Sequence, residues 1–289
     1  MALVGIPTNR TSIDLPVELS QEILQKTQNS SAVMSLARQI ALPGRGAAIN
    51  VITGDPVAAW VGETFAKPVS NPTLETKIMR AYKLAVIVPF SNEFRRDAAT
   101  LYDEIVRRIP GALGYQFDRT VFGAVQAPGN DFDTFASITA QSLGNDPYAA
   151  LVAADTDVAT HGGILNGFAL SPQGKGALLA AVDGDHRPLF INNVAEGAIP
   201  MILGARTEIG KGCFVAGTPN VLGAAGDWTQ AMYGTVEGVK IDYSADATLV
   251  DGNNTINLFQ DNMFAVRAEI EVGFRADTAC FAVLTDATT

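Results

Sequence analysis

The sequence predicts an α+β fold, and three stretches support that prediction. From Leu74 to Val88 the chain has no Gly or Pro and is rich in Ile, Val, Leu and Tyr, which is typical of a strand. Residues 91–122 then have a helical periodicity, whereas residues 264–275 alternate between apolar and mostly charged side chains. We therefore expect a body whose sheet and covering helix come from opposite ends of the chain.

The first stretch is unusually long for a strand. Its length would be about 50 Å at roughly 3.3 Å per residue, whereas strands usually have about 5–6 residues. Such a strand must either bend or project as a ribbon and find its partners on another copy of the chain. We expect residues 49–84 to form a projecting two-stranded ribbon, with Trp60 and Glu63 at its turn.

The helical stretch has one continuous apolar stripe. Ser91 and Asn92 offer an N-cap, and Pro110 with Gly111 should kink the helix without changing its register. Spacings of three and four residues connect the members of the stripe, which are Phe94, Ala98, Leu101, Ile105, Ile109, Leu113, Phe117 and Val121.

The middle of the chain alternates strands and helices. Asp146-Pro147 and Ser171-Pro172 each predict the start of a helix, because Asp and Ser cap helices and Pro is favoured at the first helical position. Asn166–Leu170 has the composition of a short strand between these helices. These signals indicate a compact α/β subdomain over about residues 140–235.

The last third of the chain is predicted to be β. One face of the strand over residues 264–275 has Phe264, Val266, Ala268, Ile270, Val272 and Phe274, and the other has Arg267, Glu269, Glu271 and Arg275. Asp277 turns the chain and TACFAVLT returns as a strand. No helix lies nearby in sequence, so we expect the long helix over residues 91–122 to cover this sheet.

Charge and composition exclude several classes of protein. The net charge is −10, with an excess of three positive charges over residues 67–119 and of twelve negative charges over residues 120–289. An acidic chain is a poor candidate for tight nucleic-acid binding, because phosphate neutralisation drives that affinity. A basic ribbon and an acidic remainder suit contact between copies, although both are also compatible with solvated faces. We predict neither a membrane span nor a secretory signal.

The sequence offers no convincing catalytic or metal site. Gly204–Gly212 has the wrong spacing for a phosphate-binding loop, and Gly212 stands where Ser or Thr should bind magnesium. The two histidines are His161 and His186, and Asp155, Asp157 and His161 share a helix face poorly. Cys213 and Cys280 are expected to be buried thiols. We therefore predict no cofactor and no enzymatic activity.

The order of the motifs resembles the tailed-bacteriophage major capsid proteins of the Hong-Kong-97-type fold. The resemblance begins in AWVGETFAKPVSNPTLETKIMRAYKLAVIVPFSNEFRRDA, which looks like the extended loop and spine helix of that family. It continues through LGYQFDRTVFGA, FALSPQGKGALLAAVDGDHRPLF and MILGARTEIGKG, then GDWTQAMYGTVEGVKIDYSADATL and NMFAVRAEIEVGFRADTACFAVLT. Together these motifs cover most of residues 40–285.

The resemblance implies four structural regions. They are an N-terminal arm (1–35), an extended loop hairpin (49–84), a peripheral domain with the long spine helix on a β-sheet (36–48, 85–138 and 246–289) and an inserted axial α/β domain (139–245). It also implies assembly into hexamers and pentamers that form an icosahedral shell around double-stranded DNA, built in the bacterial host cytoplasm. The implied partners are other copies, a portal and decoration proteins, with either a separate scaffolding protein or no scaffold, and without a membrane.

Seven residues are our candidates for contacts between subunits. They are Trp60, Glu63, Lys67, Lys77 and Arg80 in the ribbon, and Arg95 and Arg96 at the start of the long helix. Trp60 is alternatively a local core aromatic, and the arginines are alternatively solvated. Some relatives crosslink a loop lysine to an asparagine, for which Lys67 or Lys77 and Asn253, Asn254, Asn257 or Asn262 are the candidates here.

Two other functions fit parts of the same pattern. Encapsulin-like compartments share the fold, so a cellular cargo shell is the nearest alternative. A monomeric ligand-binding or hydrolytic α+β protein is the second, and it requires the ribbon to fold back on its own chain.

Overall fold

The computed structural model describes most of the chain between residues 26 and 286. The described residues are 26–28, 30–44, 46–54, 58–61, 67, 69, 73–92, 98–144, 146–182, 187, 189, 201–251 and 254–286. The helices are α1 (Ala32–Leu36), α2 (Ala98–Val121), α3 (Pro147–Thr160) and α4 (Pro172–Leu179). The strands are β1 (Arg38–Ala41), β2 (Ala47–Gly54), β3 (Thr73–Met79), β4 (Tyr82–Ser91), β5 (Ala140–Ser142), β6 (Gly167–Leu170), β7 (Met201–Ile202), β8 (Ala205–Ile209), β9 (Val221–Gly226), β10 (Ala231–Thr235), β11 (Lys240–Ser244), β12 (Thr248–Asp251), β13 (Asn254–Asn257), β14 (Met263–Ala276) and β15 (Phe281–Thr285).

A five-stranded sheet is organised around β14. This strand pairs antiparallel with β4, β10 and β11, and β1 joins β10 in parallel. Its predicted alternation is confirmed, because the apolar residues from Phe264 to Phe274 on the inner face are buried and Arg267 on the outer face is exposed. Charged residues extend across the outer face, where Arg267 pairs with Asp242 of β11 and Lys83 of β4 pairs with Glu271.

A six-stranded sheet combines strands of the predicted α/β region with β15 from later in the chain. Its strand order is β5-β15-β9-β6-β8-β7, with β15 between β5 and β9. The predicted helix caps are confirmed here, because Asp146 accepts a hydrogen bond from the Ala149 amide and Ser171 accepts one from the Gly174 amide. The short strand predicted at Asn166–Leu170 is present as β6.

The long helix covers the first sheet, as expected. Ile109 and Leu113 of α2 are buried in one cluster with Val266 and Ile270 of β14. The helix continues through Pro110 in one register, so that Phe117 and Val121 further along are buried as well. Residues 93–97 of the predicted helix lie outside the described residues.

One aromatic core joins the two sheets. Phe117 of α2 meets Phe274 of β14 edge to face with ring centroids 6.0 Å apart. Phe135, in the loop after α2, stacks on Phe281 of β15 at 4.9 Å and contacts Trp228 at 6.0 Å. These rings bury large apolar surfaces on both sheets, and the two sheets therefore share one core rather than forming independent bodies.

The prediction of one unbroken strand from Leu74 to Val88 was wrong. Strand β3 ends at Met79 and β4 begins at Tyr82. The two pieces have different partners, because β3 pairs with β2 whereas β4 pairs with β14. The Arg80 carbonyl between them crosses over Gly273, where a β-carbon would collide with it. Local composition predicts an extended chain but does not predict this change of partner.

The strand β15 returns to a different sheet from the one that β14 leaves. It pairs with β9 and β5, whereas β10 and β11 of the expected axial region pair with β14. Each sheet therefore contains strands from both the axial and the peripheral regions that the resemblance implies.

Candidate assembly site

The two-stranded ribbon of β2 and β3 carries exposed apolar side chains. Among the described residues, β2 and β3 pair only with each other, in a register from Ala47 opposite Met79 to Ile52 opposite Leu74. In the segment between the two strands, Trp60 is fully exposed and Val69 is 87% exposed. Large apolar groups left in water on an otherwise charged protein mark a surface for another macromolecule.

The root of the ribbon is packed tightly against the body. Met79 is completely buried with Leu42 and Met232. Gly46 has a φ of +86°, and a β-carbon there would lie 2.6 Å from the Met79 carbonyl oxygen. A residue with a side chain at this position would therefore be strained twice, by its backbone and by the close contact.

Arg275 of β14 connects the ribbon root to the loop after α2. Its side chain is only 12% exposed, and its Nη1 lies 2.8 Å from Asp133 Oδ1. Its Nη2 lies 3.3 Å from Asp131 Oδ1, and its Nε donates a 2.8 Å hydrogen bond to the Ile78 carbonyl of β3. One guanidinium group thus holds two carboxylates and the ribbon backbone together, which uses the fixed fork geometry of arginine.

Two predicted contact residues join this network within the same chain. Arg80 Nε lies 3.2 Å from Asp131 Oδ2, with most of its side chain exposed. Lys77 Nζ donates a 3.3 Å hydrogen bond to the Ala276 carbonyl. Both therefore help to orient the ribbon root, and their role between subunits stays a prediction.

The other predicted contact residues fall into two groups. Trp60 and Lys67 are exposed in the segment between β2 and β3. Glu63, Arg95 and Arg96 lie outside the described residues. Sequence analysis missed Asp131 and Asp133, because an acidic pair in a loop carries no signal for a partner that lies 142 and 144 residues away.

A second apolar surface lies on the outer face of α3. Tyr148 and Val152 are exposed on this face and line a shallow groove of about 690 Å³ together with Gln141 of β5 and Thr156. The groove is open to solvent. The described residues that line it include Asp157 but no Lys or Arg. This shape suits contact with a broad partner surface better than enclosure of a small ligand.

The described residues offer little for catalysis. No three His, Cys, Asp or Glu side chains among them are grouped so as to hold a metal ion. Burial raises the pKa of both the Cys213 and the Cys280 thiols, so neither is activated as a nucleophile. Within the same parts of the chain, no helix is both long and apolar enough to cross a membrane.

Comparisons with known proteins agree with this geometry. The model of the Phage capsid family matches residues 13–285. A relative described as a probable major capsid protein, gp17 of Mycobacterium phage L5, is 29% identical, with 94% of this chain and 89% of the relative covered. A solved structure from Mycobacterium phage Adephagia has a TM-score of 0.71 at 20% identity, covering 90% of this chain and 91% of that one. The capsid of an empty GTA particle, computed with C5 symmetry, has a TM-score of 0.62 at 17% identity, covering 89% and 90%.

The match spans nearly the whole chain, so the protein belongs to the phage capsid family. It is a major capsid protein, a structural component of the virion shell and not an enzyme. Copies of this chain assemble with one another to form that shell.

Proposed function

We propose that the shell closes through the ribbon, which reaches from one subunit onto a neighbouring one. The single observation that carries this proposal is the full exposure of Trp60 on a ribbon that pairs with no other described strand. Burying Trp60 and Val69 against a neighbour would remove a large apolar area from water, and aromatic anchors of this kind dominate interface energetics. The fixed root means that the ribbon enters this contact with its direction already set.

Rings of five and six subunits provide the second level of assembly. We assign the ring contact to the axial region, and the outer face of α3 with Tyr148 and Val152 is a surface that an adjacent copy would cover. Such a contact is heterologous, because one patch meets a different patch on the next copy, and repeated heterologous contacts close into rings. Each contact can be modest, since a subunit held at several interfaces gains from effective concentration.

Each of the four regions described above has its own role in the proposed assembly. Residues 1–35 serve as the arm, 49–84 as the extended loop, 36–48 with 85–138 and 246–289 as the peripheral domain, and 139–245 as the axial domain. Glu63, Lys67, Lys77, Arg80, Arg95 and Arg96 supply polar contacts to neighbours. The shell encloses double-stranded DNA without reading its sequence, and a scaffolding protein, a portal and decoration proteins are its further partners.

Deletion of residues 60–75 tests the role of the ribbon. The variant should remain folded, because the aromatic core of the two sheets does not include these residues. It should fail to close shells, as measured by light scattering and negative-stain electron microscopy. Trp60→Tyr is the matched control, since it keeps a large aromatic group at the same place and should still assemble. Normal shells from the deletion variant would exclude the proposed contact.

A further inference from the structure

The end of the arm is attached to the long helix through a buried root. We define the arm root as residues 27–36, of which Thr27 and Ser31 are completely buried. Ser30 Oγ donates a 2.9 Å hydrogen bond to the Pro110 carbonyl of α2. Next to it, a β-carbon at Gly114 would lie only 2.5 Å from Ser30 Oγ, so the two segments are in direct contact.

Asp118 of α2 caps the short helix of this arm root. Its Oδ1 accepts a 2.5 Å hydrogen bond from Ser31 Oγ and a 3.4 Å one from the Val33 amide, and its Oδ2 accepts a 3.0 Å one from the Ala32 amide. The first amides of a helix have no partner within the helix, so this carboxyl group supplies partners that the arm root lacks. A residue 87 positions away from Ser31 thus serves as part of the cap.

The same carboxyl group contacts the turn Gly210–Cys213, which follows β8 of the six-stranded sheet. A β-carbon at Gly210 would lie 2.9 Å from Asp118 Oδ2, and one at Gly212 would lie 2.6 Å from Asp118 Cβ. These glycines therefore allow the turn to approach Asp118 closely. Arm root, long helix and turn meet at a single side chain that is completely buried.

On the described parts of the packed elements, the charged and titratable groups near this carboxyl group are few. Cys213 contributes a buried thiol, whose pKa is raised by burial and by the Asp118 charge. Arg119 lies over the Tyr115 ring, with its guanidinium carbon 5.5 Å from the ring centre, and Lys211 is exposed. Lys26, which immediately precedes the arm root, is exposed. The hydrogen-bond partners of Asp118 among the described residues are uncharged, namely the Ser31 hydroxyl and the Ala32 and Val33 amides.

We propose that Asp118 is a proton-linked latch, a positioning residue that fixes the arm root to the long helix and to the Gly210–Cys213 turn and releases the arm root when it ionises. The physical reason is that the partners of this carboxyl group among the described residues are uncharged. A neutral carboxyl group is stable in this buried site, whereas an ionised one gains by being opened to water.

The direction of the pH dependence follows from the thermodynamic linkage between proton binding and folding. Burial raises the pKa of Asp118 from 3.8 to about 7, even though the hydrogen bonds from Ser31, Ala32 and Val33 oppose that rise. A carboxyl group with a raised pKa in the folded state stabilises that state fully below its unfolded pKa. This contribution is lost as the pH rises through the folded value. The latch should therefore loosen progressively as the pH rises from about 4 to about 7, and its opening should level off at higher pH.

Amide hydrogen exchange of the full-length protein tests the latch directly. Peptides that contain Ala32, Val33 and Met34 are followed by mass spectrometry at several pH values, with rates corrected for intrinsic exchange. Protection in the wild type should fall roughly tenfold between about pH 6 and about pH 8, because opening exposes a carboxyl group of ordinary pKa. A purely structural cap would give protection that does not depend on pH.

Two variants isolate Asp118 as the source of the pH dependence. In Asp118→Asn the pH dependence should disappear, because Asn does not titrate, while Cys213→Ala should retain the wild-type slope. If Asp118→Asn does not fold, Ser31→Ala replaces it. Ser31→Ala removes the hydroxyl group that donates to the charged carboxylate. Absolute protection should then be lower, and the midpoint of its fall should lie at a higher pH. Protection independent of pH in the wild type, or an unchanged slope in Asp118→Asn, would overturn the proposal.

Discussion

Two arginines on β14 have similar partners and different surroundings. Arg275 lies between Asp131 and Asp133 with its side chain 12% exposed, whereas Arg267 lies between Asp242 and Glu269 with its side chain 44% exposed. Solvent screens the exposed group strongly, and the buried one depends on its partners. We therefore assign a structural role to Arg275 and little contribution to stability to Arg267.

Alanine substitution at each position measures this difference. Arg275→Ala should lower the free energy of unfolding by about 2 kcal/mol or more, since the partly buried Asp133 loses its cation and Asp131 keeps only the exposed Arg80. Arg267→Ala is the matched control and should lower it by less than about 1 kcal/mol. Urea unfolding of dissociated subunits, followed by tryptophan fluorescence, supplies both values. Equal losses would contradict the role of Arg275 at the ribbon root.

At the scale of elements, α2 holds two glycines with opposite surroundings. A β-carbon at Gly111 would meet nothing within 4 Å, whereas one at Gly114 would press on Ser30, Thr27 and Ser31 of the arm root. The helix thus has a free face at one glycine and a packed face one turn later. Gly114 is needed for the close approach of the arm root, and Gly111 has no such constraint.

This contrast gives opposite expected effects for one substitution. Gly111→Ala should raise the free energy of unfolding by about 0.5–1 kcal/mol, because alanine restricts the unfolded chain and favours the helix. Gly114→Ala should lower it by about 1–3 kcal/mol through overpacking against the arm root. Thermal unfolding of both variants checks the signs. Stabilisation by Gly114→Ala would mean that the arm root does not pack there in solution.

Periodicity predicted the elements better than it predicted their partners. The alternation of β14 and the caps at Asp146 and Ser171 are local signals, and each is present in the structure. A bend in the long strand was one of two alternatives, but its position at Arg80 was not predicted, because that depends on the partners of β3 and β4 and on the space above Gly273. The residues next to Arg80 in the sequence give no indication that Gly273 leaves space for its carbonyl group.

The exposed residues of the candidate site were predicted from the sequence, whereas its buried contacts were not. Exposure at Trp60 and Lys67 agrees with a ribbon that extends away from its own core. The cap by Asp118 was missed, because one acidic residue in an amphipathic helix ordinarily faces water. Its partners lie 85 to 87 residues earlier in the chain, so only the fold brings them together.

At the scale of the whole molecule, net charge opposes assembly. Each subunit has a net charge of −10 at neutral pH, so copies repel one another at a distance. Opposite charges at a close interface attract over a short range instead. Salt screens exposed charges beyond about 10 Å at 0.1 M, and it screens partly buried pairs much less.

Added salt should therefore promote shell formation. The subunit concentration at which shells appear should fall as ionic strength is raised from about 0.05 M to about 0.5 M, since long-range repulsion is screened more than short-range attraction. Light scattering at fixed pH, with electron microscopy of the products, measures this threshold. A threshold that rises with salt would mean instead that complementary surface charges dominate the interfaces.

The position of β14 and β15 in the chain has a consequence for synthesis. Each occupies the interior of its sheet, β14 among β4, β10 and β11, and β15 between β5 and β9. Both follow every other described strand in the sequence, since β14 begins at Met263 and β15 ends at Thr285. A nascent chain therefore cannot complete either sheet until the residues of β14 and β15 have been synthesised. A product that stops before Met263 lacks the interior strands of both sheets, so it cannot present the folded surfaces that a growing shell accepts.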